Sequence, residues 1–442
     1  MKKKIGFWTA LALTIGNIIG VGIFTTTGYL AGKIQNPYFI LLAWGVGAVY
    51  AYTGAKTYGI LAGNMPYQGG DYAYFKEHYH PYFSYLFGWS AIFITYTGSI
   101  AALGIGSAHY LNDVFPNLGL DYSVFSIGII GDYFFSLDGF KIAGILSIII
   151  LTYLNYLGIR TGGRTQIVLT AAIVFLMIGF IFFGMMEGAT GFATARGNDI
   201  YPSWNLFSVG LVAVLFTYMG WTTVNYIANE VESPGEIIPK ALITGILVVV
   251  AVYIGINYVF LSVLSPAELS DKINSASLVA EKLWGPQATK VIAVMILIAI
   301  LSSLNSTVLS GPRIYQAMAR DGYLWSGLAK EHEKFASPSA ALWTQCLWSI
   351  VLMLSGTFNQ LLTIVVAAIL LFSIMSGTIS FKILLYSTKI KISAVISVTI
   401  YLLLCTLILF NILYMNFIES LIGLVILSVS YPLYRLQTAG QI

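Results

Sequence analysis

Apolar residues run through this chain in long blocks separated by short polar knots. A helix needs about 20 predominantly apolar residues to cross the hydrocarbon of a bilayer. By that measure the pattern predicts about twelve membrane spans, near residues 8–31, 37–62, 82–111, 139–158, 165–188, 205–230, 238–264, 287–318, 340–356, 359–384, 392–412 and 415–434. The expected fold class is all-α integral membrane, with residues 1–442 forming one transmembrane domain. Two connections differ from the rest. Residues 113–138 are long and aromatic and leave an interfacial or a re-entrant element open, whereas Ser265-Pro266-Ala267-Glu268 opens an amphipathic helix between spans seven and eight.

Two spans are interrupted at membrane depth. The first carries Gly16-Asn17-Ile18-Ile19-Gly20-Val21-Gly22-Ile23-Phe24, and the sixth carries Phe216-Thr217-Tyr218-Met219-Gly220-Trp221-Thr222-Thr223. Broken backbone inside a bilayer is tolerated only where it is buried in protein or lines a cavity. Taken alone, Gly16 and Gly20 also fit a small-residue packing face between helices. If the first ten helices form two inverted five-helix repeats, residues 1–188 and 205–384, the breaks fall at corresponding positions, leaving residues 392–434 as two additional helices. Paired breaks of this kind mark the midplane site of a transporter. The N–H groups that open the second half of span one suit a carboxylate, and carbonyls around Phe216 and Met219 suit an ammonium. The candidate substrate-binding residues are Ile19, Gly20, Val21, Gly22, Ile23, Phe216, Tyr218, Met219, Gly220 and Thr222. Neither break holds a charged side chain, so a zwitterion fits better than a strongly charged ligand.

Composition supports the bilayer. The 442 residues are 58% hydrophobic and 9% charged, far below the charge of a soluble domain. The net charge of +4 is scattered, which excludes a nucleic-acid footprint. Lys76, Arg160, Arg164, Lys240, Arg320, Lys330, Lys334, Lys382, Lys389, Lys391 and Arg435 fall on one side of the predicted topology together with Lys2, Lys3 and Lys4. The positive-inside rule makes that side cytoplasmic, so the expectation is a multi-pass protein of the cytoplasmic membrane, embedded in lipid, with both termini inside. Cys346 and Cys405 read as packing residues, and the pattern sets no oligomeric state. Glu230, Glu232 and Arg320 lie at cytoplasmic span ends, the acids either pairing with Arg160 or Arg164 as an inner gate or simply solvated.

An ordered set of short motifs carries a resemblance. It comprises Gly20-Val21-Gly22-Ile23-Phe24, Pro66-Tyr67-Gln68-Gly69-Gly70-Asp71-Tyr72-Ala73-Tyr74, Gly88-Trp89-Ser90, Asn155-Tyr156-Leu157-Gly158-Ile159-Arg160, Glu230-Val231-Glu232-Ser233-Pro234 and Ala319-Arg320-Asp321-Gly322. In these the chain resembles the amino acid–polyamine–organocation superfamily, in the style of its prokaryotic amino acid permeases and of the light-chain amino acid exchangers. The resemblance implies secondary-active transport of small neutral L-amino acids by alternating access. Helices three and eight would form a scaffold against a bundle of helices one, two, six and seven. It also implies that Phe216 matches the aromatic gate that closes over the substrate, a plain packing aromatic being the alternative.

Coupling stays open at this stage. Some relatives place a lysine on span five where this chain has Ile173, so that proton device is absent. Gly16, Ile19, Ala299, Ser302 and Ser303 resemble the oxygen donors of a sodium site in related transporters, which makes Na+ a possible coupling ion. The same serines also fit hydrogen bonds to their own helix. No other cofactor and no metal is called for, and catalytic residues are none: no acid, base and nucleophile converge within a span, so an enzyme is not expected. The alternative to transport is a membrane sensor that binds an amino acid without net translocation.

Overall fold

The computed structural model describes residues 5–130, 133–187, 192, 203–272, 274–355, 358–387, 391–415 and 427–439. The chain begins with α1 (Phe7–Ile18) and α2 (Gly22–Ile34), then α3 (Pro37–Asn64) and the short α4 (Asp71–His78). Next comes α5 (Pro81–Ser90), which passes through a π-helical turn at Ala91–Thr95 into α6 (Tyr96–Val114). A β-hairpin, β1 (Ser123–Ile130) paired antiparallel with β2 (Tyr133–Asp138), leads to α7 (Gly139–Tyr156) and α8 (Ile159–Glu187). The second half runs α9 (Trp204–Thr217), α10 (Thr223–Tyr226), α11 (Pro234–Val263), α12 (Pro266–Leu269), α13 (Ser275–Trp284) and α14 (Ala288–Arg320). It ends with α15 (Ser339–Ser355), α16 (Phe358–Leu385), α17 (Ile392–Met415) and α18 (Ser430–Ala439).

The first eleven predicted spans coincide with these helices, and both predicted breaks are present, between α1 and α2 and between α9 and α10. The twelfth, near 415–434, lies largely outside the described residues. Three details differ from the sequence reading. Span five starts at Ile159 rather than near 165, because Gly158 at φ +108° absorbs the whole reversal and lets the next helix begin at once. The long 113–138 connection is the β-hairpin, with Phe125 and Phe135 stacked across it. The amphipathic connection is two short helices, parted at Asp271 (φ +57°), and Ser265 with Glu268 closes a capping box at its start.

Two groups of helices divide the spans. The α1, α3, α9 and α11 helices pack on one another, and α6, α7, α14 and α15 form a second group that α8 joins to α1. Within the second group, Pro312 cannot donate to the carbonyl of Val308, and lipid offers no substitute. The buried Gln345 amide on α15 donates to that carbonyl at 3.3 Å. Gly311 beside it leaves the space, since a Cβ there would meet Gln345 Oε1 and Tyr96 Cδ1.

Glu230 pairs differently from the expectation. Glu230 binds Arg313 on α14, which is 1% exposed, through Nε at 2.8 Å and Nη2 at 3.3 Å, rather than Arg160 or Arg164. Arg313 Nη1 donates to Leu309 O at 2.6 Å. Ile5 pairs with Val231, so the chain's start is strapped to the same place. Arg320 bonds Gln68 and Glu331, and Lys76 bonds Asp321, on the same N-terminal face. Removing Glu230 would strand a buried guanidinium. Glu230→Ala is expected to lower stability by about 3–5 kcal/mol, and Glu230→Ala with Arg313→Met to recover most of it, measured by thermal unfolding in detergent.

Candidate functional site

The two breaks are built around Asn17. The α1 helix stops because Ile19 is extended (φ −74°, ψ 102°), and α2 restarts at Gly22. In the other break Gly220 stands at φ +126°, where a Cβ would lie 2.5 Å from Asn17 O. Only glycine fits that approach. Asn17 Nδ2 donates to Gly220 O at 2.8 Å and to Thr223 Oγ1 at 2.5 Å, while Thr307 of α14 donates to Asn17 Oδ1 at 3.1 Å. Both ends of one amide are therefore used to hold three elements together. A second bridge comes from α11: the buried Tyr253 hydroxyl lies 3.1 Å from Ile18 O and 3.4 Å from Thr217 O, the last carbonyls of the two half-helices.

Beside this junction lies a cavity of about 110 Å³. Met219, Gly220, Thr222 and Thr223 of the sixth span line it, together with Asn17 and Thr307. Thr95, Tyr96 and Ser99 enter where the π-helical turn passes into α6, and Ile369, Phe372 and Ser373 come from α16. The end toward the N-terminal face is closed by Tyr58, Asp71, Phe87 and Tyr226. The Gly69-Gly70-Asp71 motif makes that end: both glycines have positive φ, and a Cβ at Gly70 would run into the Tyr226 ring. The turn sets Asp71 at the start of α4, where it is 2% exposed and accepts hydrogen bonds from Tyr226 Oη at 2.6 Å and from Ser376. Burial pushes its carboxyl up to about 6, against the opposing effect of hydrogen bonds from Ser376, Tyr226 and Tyr58.

Of the sequence candidates, Met219, Gly220 and Thr222 line the cavity. Ile19 and Ile23 are fully buried in the core, and Gly20, Val21 and Gly22 surround the start of α2, whose first N–H groups have no intrahelical acceptor. A Cβ on Gly22 would sit 2.9 Å from Thr217, whereas one on Gly20 would meet nothing within 4 Å. Phe216 is half-buried, and its carbonyl already accepts from Met219 N at 3.0 Å. Tyr218 is fully buried with its hydroxyl on Trp44 O at 3.3 Å, packed against Tyr253 rather than turned to the cavity. Asn17, Asp71, Tyr226 and the particular wall residues of α6, α14 and α16 are not among the sequence candidates, because pattern alone does not fix the registers of those helices. A polar asparagine inside the first break was the one local signal available.

Of the five possible cation donors, Gly16 lies against Ser302, and both serines are engaged. Ser302 Oγ accepts from Gln166 Nε2 of α8 at 2.9 Å and lies 3.2 Å from Thr170 Oγ1. A Cβ on Gly16 would run into Gln166, Ser302 and Thr170. Ser303 reaches Asn17 O at 3.5 Å, and Ala299 is fully buried. Gln166 Nε2 also donates to Ala12 O at 3.3 Å, and its Oε1 accepts from Asn305 at 2.8 Å.

Two broken helices joined at Asn17 beside a cavity, in an apolar multi-helix scaffold, are the arrangement of a multi-pass membrane transporter. The chain belongs to the amino acid permease family, whose model matches residues 5–429. It is 31% identical over 379 residues to the serine/threonine exchanger SteT of Bacillus subtilis, covering 85% of this chain and 82% of that one. It is 27% identical to the large neutral amino acids transporter small subunit 2 of Rattus norvegicus, over 83% of this chain and 67% of that one. It is 28% identical to the Asc-type amino acid transporter 1 of Mus musculus, with the same two coverages. These relatives are transporters, and the chain is an amino acid transporter and not an enzyme.

The packing around the breaks separates glycines that leave no room for a side chain from one that does. Gly220→Ala is expected to reduce labelled amino acid uptake in proteoliposomes roughly tenfold or more, because it displaces Asn17. Gly20→Ala should retain most of it. Equal losses in the two variants would contradict the assignment.

Proposed function

We propose that this chain exchanges small neutral L-amino acids across the cytoplasmic membrane by alternating access. The observation that carries the reading is the junction of the two breaks at Asn17 beside a cavity lined by the hydroxyl-bearing residues Thr95, Ser99, Thr222, Thr223 and Thr307. That lining suits a small, hydroxyl-bearing or short aliphatic side chain, in keeping with a relative named for serine and threonine exchange. The substrate carboxylate sits at the N–H groups from Gly20 to Gly22, its ammonium faces the carbonyl edge near Met219, and Phe216 closes over it. Residues 1–188 and 205–384 act as two inverted repeats, and the group of α6 and α14 stays fixed while α1, α3, α9 and α11 rock. The face bearing Ile5, Asp71 and Arg320 is cytoplasmic by the charge rule.

Sodium is not the coupling ion in this reading. An oxygen cage needs free lone pairs, and Ser302 instead spends its contacts on the amide of Gln166 and on Thr170. Counterflow into proteoliposomes tests both parts. Labelled serine, threonine or alanine should enter vesicles loaded with the unlabelled amino acid at equal rates in sodium and sodium-free buffer. Entry only with sodium would overturn the cation-free reading and return Ser302 and Ser303 to a cation site. Saturable binding without any entry would overturn transport in favour of a sensor.

A further inference from the structure

We propose that Asp71 is a proton-binding site of the translocation cavity, and that proton binding loosens the cavity floor and favours opening toward the cytoplasm. This rests on the transport reading above. Asp71 is the one carboxyl among the residues lining the cavity, and it is almost wholly buried. It joins three separate elements, standing at the start of α4 while accepting from Tyr226 at the end of α10 and from Ser376 on α16. The half-helix that must move on the cytoplasmic side therefore ends on a residue held by this carboxylate. Tyr226 is fixed to the same turn a second time, by Gly69 N donating to its carbonyl at 3.0 Å.

The groups that face Asp71 are hydroxyls. They are Tyr58 from α3, Tyr74 from α4, Tyr96 from α6, Tyr226 from α10 and Ser376 from α16. The charges carried by α4 and its neighbours are directed elsewhere. Lys76 bonds Asp321, Arg313 bonds Glu230, Arg320 bonds Gln68 and Glu331, and Lys382 acts on His78. Among the described residues no cation neutralises Asp71. A buried carboxylate without a counter-charge takes up a proton more readily than an exposed one, and burial holds this one at about 6.

The consequence follows from hydrogen-bond strength. Bonds to an ionised carboxylate are roughly twice as strong as bonds between neutral groups. Deprotonated Asp71 grips Tyr226 and Ser376, and the protonated acid holds them as an ordinary neutral partner. The proton adds to a carboxylate oxygen from water and returns to water, so no other reactant is involved. Acid therefore favours release of α10 from α4 and α16.

The experiment is counterflow with the same pH on both sides of the vesicle, between about pH 5 and pH 8, so that no gradient drives flux. The wild-type rate should rise as pH falls through about 6 and level off below it, changing by at most roughly tenfold per pH unit above the inflection. Asp71→Asn should give a flat profile, and Asp71→Glu should keep an inflection. Tyr226→Phe removes a donor to the charged form and should move the inflection to higher pH, which keeps the proposal testable if Asp71→Asn does not fold. A flat wild-type profile, an inflection surviving in Asp71→Asn or an unmoved inflection in Tyr226→Phe would each overturn the proton site. Counterflow absent at every pH would instead sink the transport reading on which it rests.

Discussion

Carbonyls freed by a helix break have no water to turn to at membrane depth, and the middle of this protein is packed around that demand. Asn17 gives its amide to Gly220 and Thr223, Tyr253 reaches the last carbonyls of α1 and α9, and Gln345 replaces the donor that Pro312 lacks. Each of these polar side chains is held among apolar neighbours, where a missing partner costs more than it would in water. Ending a helix at Ile18 also frees the N–H groups that open α2, the groups that the proposed function gives to a substrate carboxylate.

Much of the architecture was written in the chain as a one-dimensional signal. Span length and the glycine breaks depend on local composition, so the ends of α3, α7 and α14 and the interruptions at Ile19 and Gly220 were within reach of pattern reading. The hairpin at 123–138 was not, because its apolar residues occupy both faces and give no clean alternation. The cavity wall was also out of reach. Whether Thr95 or a neighbour faces inward depends on the π-helical turn that it ends, and that turn leaves no composition signal.

Arg313 shows the same limit from the other side. It stands inside a long apolar span, and its partner Glu230 is 83 residues away. A charge at such depth calls for a counter-charge, but only tertiary packing says which one. The basic residues nearest the acids in the expected topology, Arg160 and Arg164, lie instead on α8. Asp71 follows the same pattern: sequence places it between spans, whereas the turn at Gly69 and Gly70 folds it back against Tyr226.

The Tyr253 hydroxyl has a single proton and stands between two carbonyl oxygens. Whatever strengthens its bond to Ile18 weakens its bond to Thr217, so the two chain ends compete for one donor. Neither half-helix can shift without changing the hold on the other. The pair behaves as a see-saw whose fulcrum is an oxygen atom on α11, and a displacement at one end of the site is registered at the other through that atom as well as through Asn17.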